Sequence, residues 1–169
     1  MLPEPWLRAD ITDVDPLLKP VLYSFRQALE DLHQFTEGLT AEEIWSRPYG
    51  LAPVGFHIRH IGGSVDRLLT YSTGGSLSED QFQQLRSEME PGPGGEELLA
   101  ELQQTLERSG EIVRRIDITQ LTHDRGVGRQ QLPTTVIGLL IHMAEHTQRH
   151  VGQAIVTAKL VKGMAGPPR

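Results

Sequence analysis

The chain has 169 residues, enough for one domain that buries its own core. Lys and Arg number 16 against 22 Asp and Glu, a net charge of −6 with His neutral, which argues against nucleic acid or an anionic membrane as an electrostatic partner. There are no cysteines, so disulfides, thiolate ligands, a Cys nucleophile and iron–sulfur clusters are excluded, and any metal must use His, carboxylate or water.

Along the chain, apolar periodicity predicts a first helix from about Pro16 to Thr36. Leu17, Val21, Phe25, Ala28, Leu29, Leu32 and Phe35 recur at three and four residues, Pro16 suits an early helical turn, and the Gly38 region closes the element. A second helix follows Pro53, with Val54, Ile58, Ile61, Val65, Leu68, Leu69 and Ser72 on one side, and stops near Gly74–Gly75. Ser78 opens a short polar helical stretch, SEDQFQQLRSEME, which reads as a connection before the breaker PGPGG at 91–95. A third long helix spans about Glu96 to Ile116, carrying Leu98, Leu99, Leu102, Leu106, Ile112, Val113 and Ile116, with Gly110 as its weak point. The loop LTHDRGVGRQQLP leads to the last and longest helix, Thr134 to Val161, with Pro133 at its boundary and Gly163 near its end. No strand alternation of useful length and no internal repeat is present, so the expectation is an all-α four-helix bundle forming one domain over residues 1–169. The N-terminus lacks a leader pattern and no apolar run approaches the roughly 18 residues of a membrane span, so a soluble, cytoplasmic protein is expected.

The last helix carries His142, His146 and His150 in the run IHMAEHTQRHVGQ. With His at roughly 4% of positions, a chance ladder at i, i+4, i+8 is expected about 0.01 times in such a chain. On a helical wheel Val136, Leu140, Met143, Thr147, Val151, Ala154 and Ala158 form the apolar stripe. His150 lies on its shoulder, His146 further round and His142 nearest the polar face, so burial should fall in that order. Two His at i and i+4 can direct nitrogens to one ion, with a third ligand from a neighbouring helix. His57 and His60, on the second helix, are the candidate donors. The wheel does not settle the choice, but it places His57 nearer the apolar stripe, so amphipathicity alone would pick His57. For His142 and His57 the plainer expectation is a solvated or satisfied histidine, with a supporting role beside the site as the alternative.

The strings HIRHIGGSVDRLLTY and IGLLIHMAEHTQRHVGQAI resemble the two histidine-bearing segments of the DinB/YfiT-like family of metal-binding helical bundles. In that family one His comes from the second helix and a His-x-x-x-His pair followed by Gly-Gln comes from the last. The resemblance therefore implies His60, His146 and His150 as ligands, with Gly152 and Gln153 as the pair that follows. Many relatives have adjacent histidines there, whereas this chain has Arg149 before His150. Imidazole ligands suit a divalent transition metal (zinc, nickel or iron), and the resemblance further implies a homodimer and, in some members, transfer of a low-molecular-weight thiol onto a small electrophile. Hydrolysis through metal-bound hydroxide is the enzymatic rival, and a non-catalytic metal-binding or dimerising module is the alternative of another class. No residue is assigned a catalytic role from sequence. Arg59, Arg67 and Arg149 are candidates for an anion at the site mouth, though solvated charge is the commoner role. Glu145 points away from the ion by its wheel position. His123, Asp124 and Arg125 suit either a lid or an ordinary turn, and Trp6 and Trp45 are expected to pack.

Overall fold

The computed structural model describes residues 3–164, so the ends of the expected domain, 1–2 and 165–169, lie outside the described residues. Six helices carry the fold: α1 (Lys19–Thr36), α2 (Ala41–Trp45), α3 (Val54–Ser72), α4 (Glu79–Ser87), α5 (Gly95–Arg114) and α6 (Val136–Met164). The long helices α1, α3, α5 and α6 form the bundle. α6 packs on α1 and α3, and α5 packs on the same two from the other side. The protein is all-α with one small addition, described below.

Specific contacts set the helix directions. Gln148 Nε2 donates to the Ser24 carbonyl at 2.9 Å and Lys162 Nζ to the Glu37 carbonyl at 2.7 Å, so α1 and α6 run parallel. His57 opposes His150 and His60 opposes His146, so α3 runs against α6. Gly55 at the start of α3 lies against Trp45, whose indole N–H donates to the Pro93 carbonyl at 2.9 Å just ahead of α5. The starts of α3 and α5 therefore sit at the same end, and the order is up-down-down-up. Two consecutive parallel helices require a connection that returns the length of α3, about 28 Å at 1.5 Å per residue. α4 and the PGPGG segment are that connection, running back along α3.

All seven residues of the expected α6 stripe are buried, and all of them except Thr147 join Leu22, Phe25, Ile58, Ile61, Leu102 and Leu106 in one hydrophobic cluster. At the start of α1 the expectation fails: Leu17 is 58% exposed and Leu18 takes the core position, because the helix begins only at Lys19. Ile112, expected on the apolar side of α5, is also largely exposed. Two elements were not expected. α2 is a single turn closed by a reciprocal capping box between Thr40 and Glu43. A two-stranded antiparallel hairpin, β1 (Asp124–Val127) and β2 (Leu132–Thr135), occupies the expected loop before α6 and corrects the strand-free reading. Its strands are too short for alternation to show in sequence, and Pro133 sits in β2 rather than at the helix boundary. α6 begins at Val136, where the backbone N–H groups of Val136 and Ile137 donate to the carbonyls of His123 and Leu121 and Thr135 Oγ accepts from Gly138. It continues through Gly163 to Met164.

Candidate metal centre

α3 and α6 cross with their histidines facing each other. One ring nitrogen from each of His60, His146 and His150 lies within 4.8 Å of the other two. His60 Nε2 and His146 Nε2 are 2.9 Å apart. Two nitrogens bound at about 2.0–2.1 Å to a tetrahedral ion lie about 3.4 Å from each other, so this pair needs to open by only about 0.5 Å. The structure thus brings together the three residues singled out by the resemblance, with His60 rather than His57 in the group of three.

The protonation chemistry suits a cation. Burial, followed by the neighbouring charges of His60, His142 and Arg149, pushes His146 down to about 4. Burial and then His60, His146 and His57 push His150 down to about 3. Both rings are neutral at pH 7 and present lone pairs. His146 Nδ1 is buried without a partner, so the polar interactions of that ring concentrate on the Nε2 that faces His60. The neutral imidazoles of His146 and His150, with His60 Nε2 facing His146, fit a divalent transition metal.

Each α3 histidine has a distinct place. His60 Nδ1–H donates to Glu88 Oε2 at 2.7 Å, so that in the neutral ring Nε2 is the lone-pair nitrogen. Glu88 also accepts from Arg67 Nη1 at 2.8 Å, and both Glu88 and Arg67 are buried. Burial alone would raise the Glu88 carboxyl, but the hydrogen bonds from His60 and Arg67 prevail and hold it below the usual range. His57 is 4% exposed, with its Nδ1 3.0 Å from His150 Nδ1. Burial, then the charge of His60, pushes His57 down to about 4. It is a buried partner of the cluster rather than a solvated histidine. His142 is exposed, as expected of it, and pairs with Glu145 at 2.7 Å. His146 and His150 are both half-buried.

Glu88 is the residue that sequence reasoning missed. It sits in the stretch read as a connection, and a lone glutamate carries no spacing signal toward a histidine 28 positions earlier.

Each of the three arginines has partners within the chain. Arg67 is committed to Glu88, and Arg149 to Glu145 at 2.6 Å. Arg59 lies over the Trp45 ring at 4.7 Å and donates to the Glu90 carbonyl at 2.7 Å. Trp45 packs as expected, whereas Trp6 is 61% exposed. Arg125 Nε donates to the Ser72 carbonyl at 2.8 Å and so satisfies the C-terminal end of α3. That end lies twelve residues beyond His60, about 18 Å along the helix, so the hairpin is no lid over the histidines.

A four-helix bundle whose second and last long helices face each other through histidines is the class that fold and site define. The chain belongs to the DinB superfamily, whose sequence profile matches residues 24–154. No curated protein matches it in sequence. Among solved structures it is similar to the crystal structure of a conserved protein from Enterococcus faecalis, with a TM-score of 0.71 and 16% identity over 86% of this chain and 96% of that one. That likeness concerns the fold alone.

Proposed function

We propose that the protein binds one divalent transition-metal ion through His60, His146 and His150 and uses it in the transfer of a low-molecular-weight thiol onto a small electrophile. The observation that carries the reading is the convergence of three ring nitrogens within 4.8 Å on two facing helices. When bound, such an ion lowers the pKa of a coordinated thiol or water and so supplies a nucleophile at neutral pH. Three protein ligands leave a position open for that group. The chain's own residues hold the ligands in place: Glu88 engages Nδ1 of His60, His57 engages Nδ1 of His150, and Phe56 stacks on the His60 ring at 5.2 Å. The reading includes a homodimer, a small-molecule substrate and no role for nucleic acid or membrane. Among the described residues no helix is long and apolar enough to cross a membrane.

One observation favours a second reading, a metal-binding module without catalysis. The two carboxylates beside the histidines are already committed, Glu88 to His60 and Arg67 and Glu145 to His142 and Arg149, so neither is free as a general base. Thiol activation then rests on the ion alone.

The test begins with elemental analysis of untagged protein purified without added metal, comparing wild type with His146→Ala and His60→Ala. Near-stoichiometric metal in wild type, lost in both variants, supports the centre, and absence of metal even after reconstitution would sink it. A screen of electrophiles with and without small thiols then separates the reactions. Turnover that requires thiol supports transfer, thiol-independent turnover indicates hydrolysis, and none with either favours the module. Sedimentation equilibrium tests the dimer.

A further inference from the structure

We propose that Glu88, carried by the crossover connection, is the positioning residue of the metal centre: it sets the tautomer of His60 and supplies the negative charge that makes His60 Nε2 a strong ligand. The proposal rests on the metal-binding reading and extends it to a part of the chain that holds no ligand.

Four features converge on this carboxylate. It is 5% exposed, yet both oxygens are occupied, Oε2 by His60 Nδ1 at 2.7 Å and Oε1 by Arg67 Nη1 at 2.8 Å. α3 makes room for it, because a Cβ on Gly63 would lie 2.5 Å from Glu88 Oε1 and 2.7 Å from Arg67 Nη1. The connection is pinned on both sides of the carboxylate. Upstream, Gln81 Nε2 donates to Asp66 Oδ2 and, at 2.9 Å, to Thr70 Oγ1; downstream, Arg59 donates to the Glu90 carbonyl. Lastly, the bond reaches the nitrogen of His60 opposite the one that faces His146.

Electrostatics turns this geometry into function. An ionised acceptor on Nδ1–H holds the neutral ring in the tautomer whose lone pair is on Nε2 and increases the basicity of that nitrogen. The hydrogen bonds from His60 and Arg67 together keep the carboxylate ionised in its buried setting, so the charge persists where His60 uses it. A glutamine at this position offers one acceptor oxygen to two donors, and either His60 or Arg67 loses its partner. Removal of such a partner weakens metal binding about 10–100-fold.

The experiment uses the full chain and zinc in competition with a chromogenic chelator, comparing wild type, Glu88→Gln, Gly63→Ala and Glu145→Gln. Glu88→Gln is expected to bind zinc about 10–100-fold more weakly, and Gly63→Ala, which retains every polar group but displaces the carboxylate, should weaken it in the same direction. Glu145→Gln, whose carboxylate touches none of the three ligands, should match wild type. Nitrogen-15 spectra of the metal-free protein supply a readout that simple loss of packing would not move: His60 should carry its proton on Nδ1 in wild type and lose that preference in Glu88→Gln. Circular dichroism checks folding, and if Glu88→Gln does not fold, Gly63→Ala carries the comparison. Equal zinc affinity of wild type and the folded Glu88 variant, or an unchanged His60 tautomer, would overturn the role of Glu88 while leaving the metal centre standing. A wild type that binds no zinc would instead overturn the metal reading and this proposal with it.

Discussion

The Nδ1 atoms of His57 and His150 face each other 3.0 Å apart, and with both rings neutral at pH 7 a single proton serves the pair. When His150 is the donor, its Nε2 becomes the lone-pair nitrogen available to an ion; when His57 is the donor, it does not. His57→Phe keeps an aromatic ring in the buried position and removes the acceptor. Zinc affinity is expected to fall about 10-fold, with a shift of His150 toward the other tautomer in nitrogen-15 spectra. Unchanged affinity and unchanged His150 shifts would show that the contact does not orient the ring.

Arg67 is 8% exposed and its guanidinium meets Glu88, also buried, at 2.8 Å. Arg67→Met preserves much of the buried stem but leaves the carboxylate with His60 alone. Breaking a buried pair from one side is expected to lower unfolding stability by about 3 kcal/mol, read from urea denaturation in the presence of chelator. A change below about 0.5 kcal/mol, the range of ordinary surface substitutions, would show that Glu88 does not depend on Arg67.

The metal-free protein should lose stability on acidification through its histidines. His57 and His146 are held at about 4 and His150 at about 3, all below the ordinary 6.5. The folded state therefore binds fewer protons than the unfolded chain below pH 6.5. Their contribution is present above that value and is lost as the pH falls toward about 3–4. Glu88, held below its usual range, acts in the same direction at the acid end. Denaturation midpoints in chelator should stay level above pH 6.5 and fall below it. A midpoint that holds level down to pH 4 would contradict the neutral, buried state of these rings.

Gly55 joins α3 to the segment before it through close approach rather than through its backbone angles. A Cβ there would lie 2.7 Å from Trp45 Cε2, and the indole is held from other sides by the Pro93 carbonyl and the Arg59 guanidinium. Gly55→Ala is expected to cost about 1–3 kcal/mol and to change the near-ultraviolet signal of Trp45. Retention of both the melting temperature and the spectrum would show that the ring moves aside freely.

Much of the bundle was legible because helical periodicity is local. The stripe Val136–Leu140–Met143–Thr147–Val151–Ala154–Ala158 is buried throughout, and the polar helix opened by Ser78 is present with its capping box to Gln81. α2 was missed although Thr40 and Glu43 stand at capping-box spacing, because a single turn has too few residues to show a period. The hairpin before α6 was missed for the same reason, with four residues in each strand and Gly126 facing Pro133 across them.

By itself, the sequence determined the long helices, their buried faces and the neighbourhood of His146 and His150, since four-residue spacing stacks side chains on one face wherever a helix is placed. Tertiary structure alone decided the helix order and the places of His57 and Glu88, and it brought His60, which the resemblance implies, up to His146 and His150. Those relations depend on how far α3 is rotated against α6 and on where the crossover returns along α3. Both are set by the packing of the whole core and by nonlocal bonds such as Gln81 to Asp66 and Arg59 to Glu90, which no window of sequence contains.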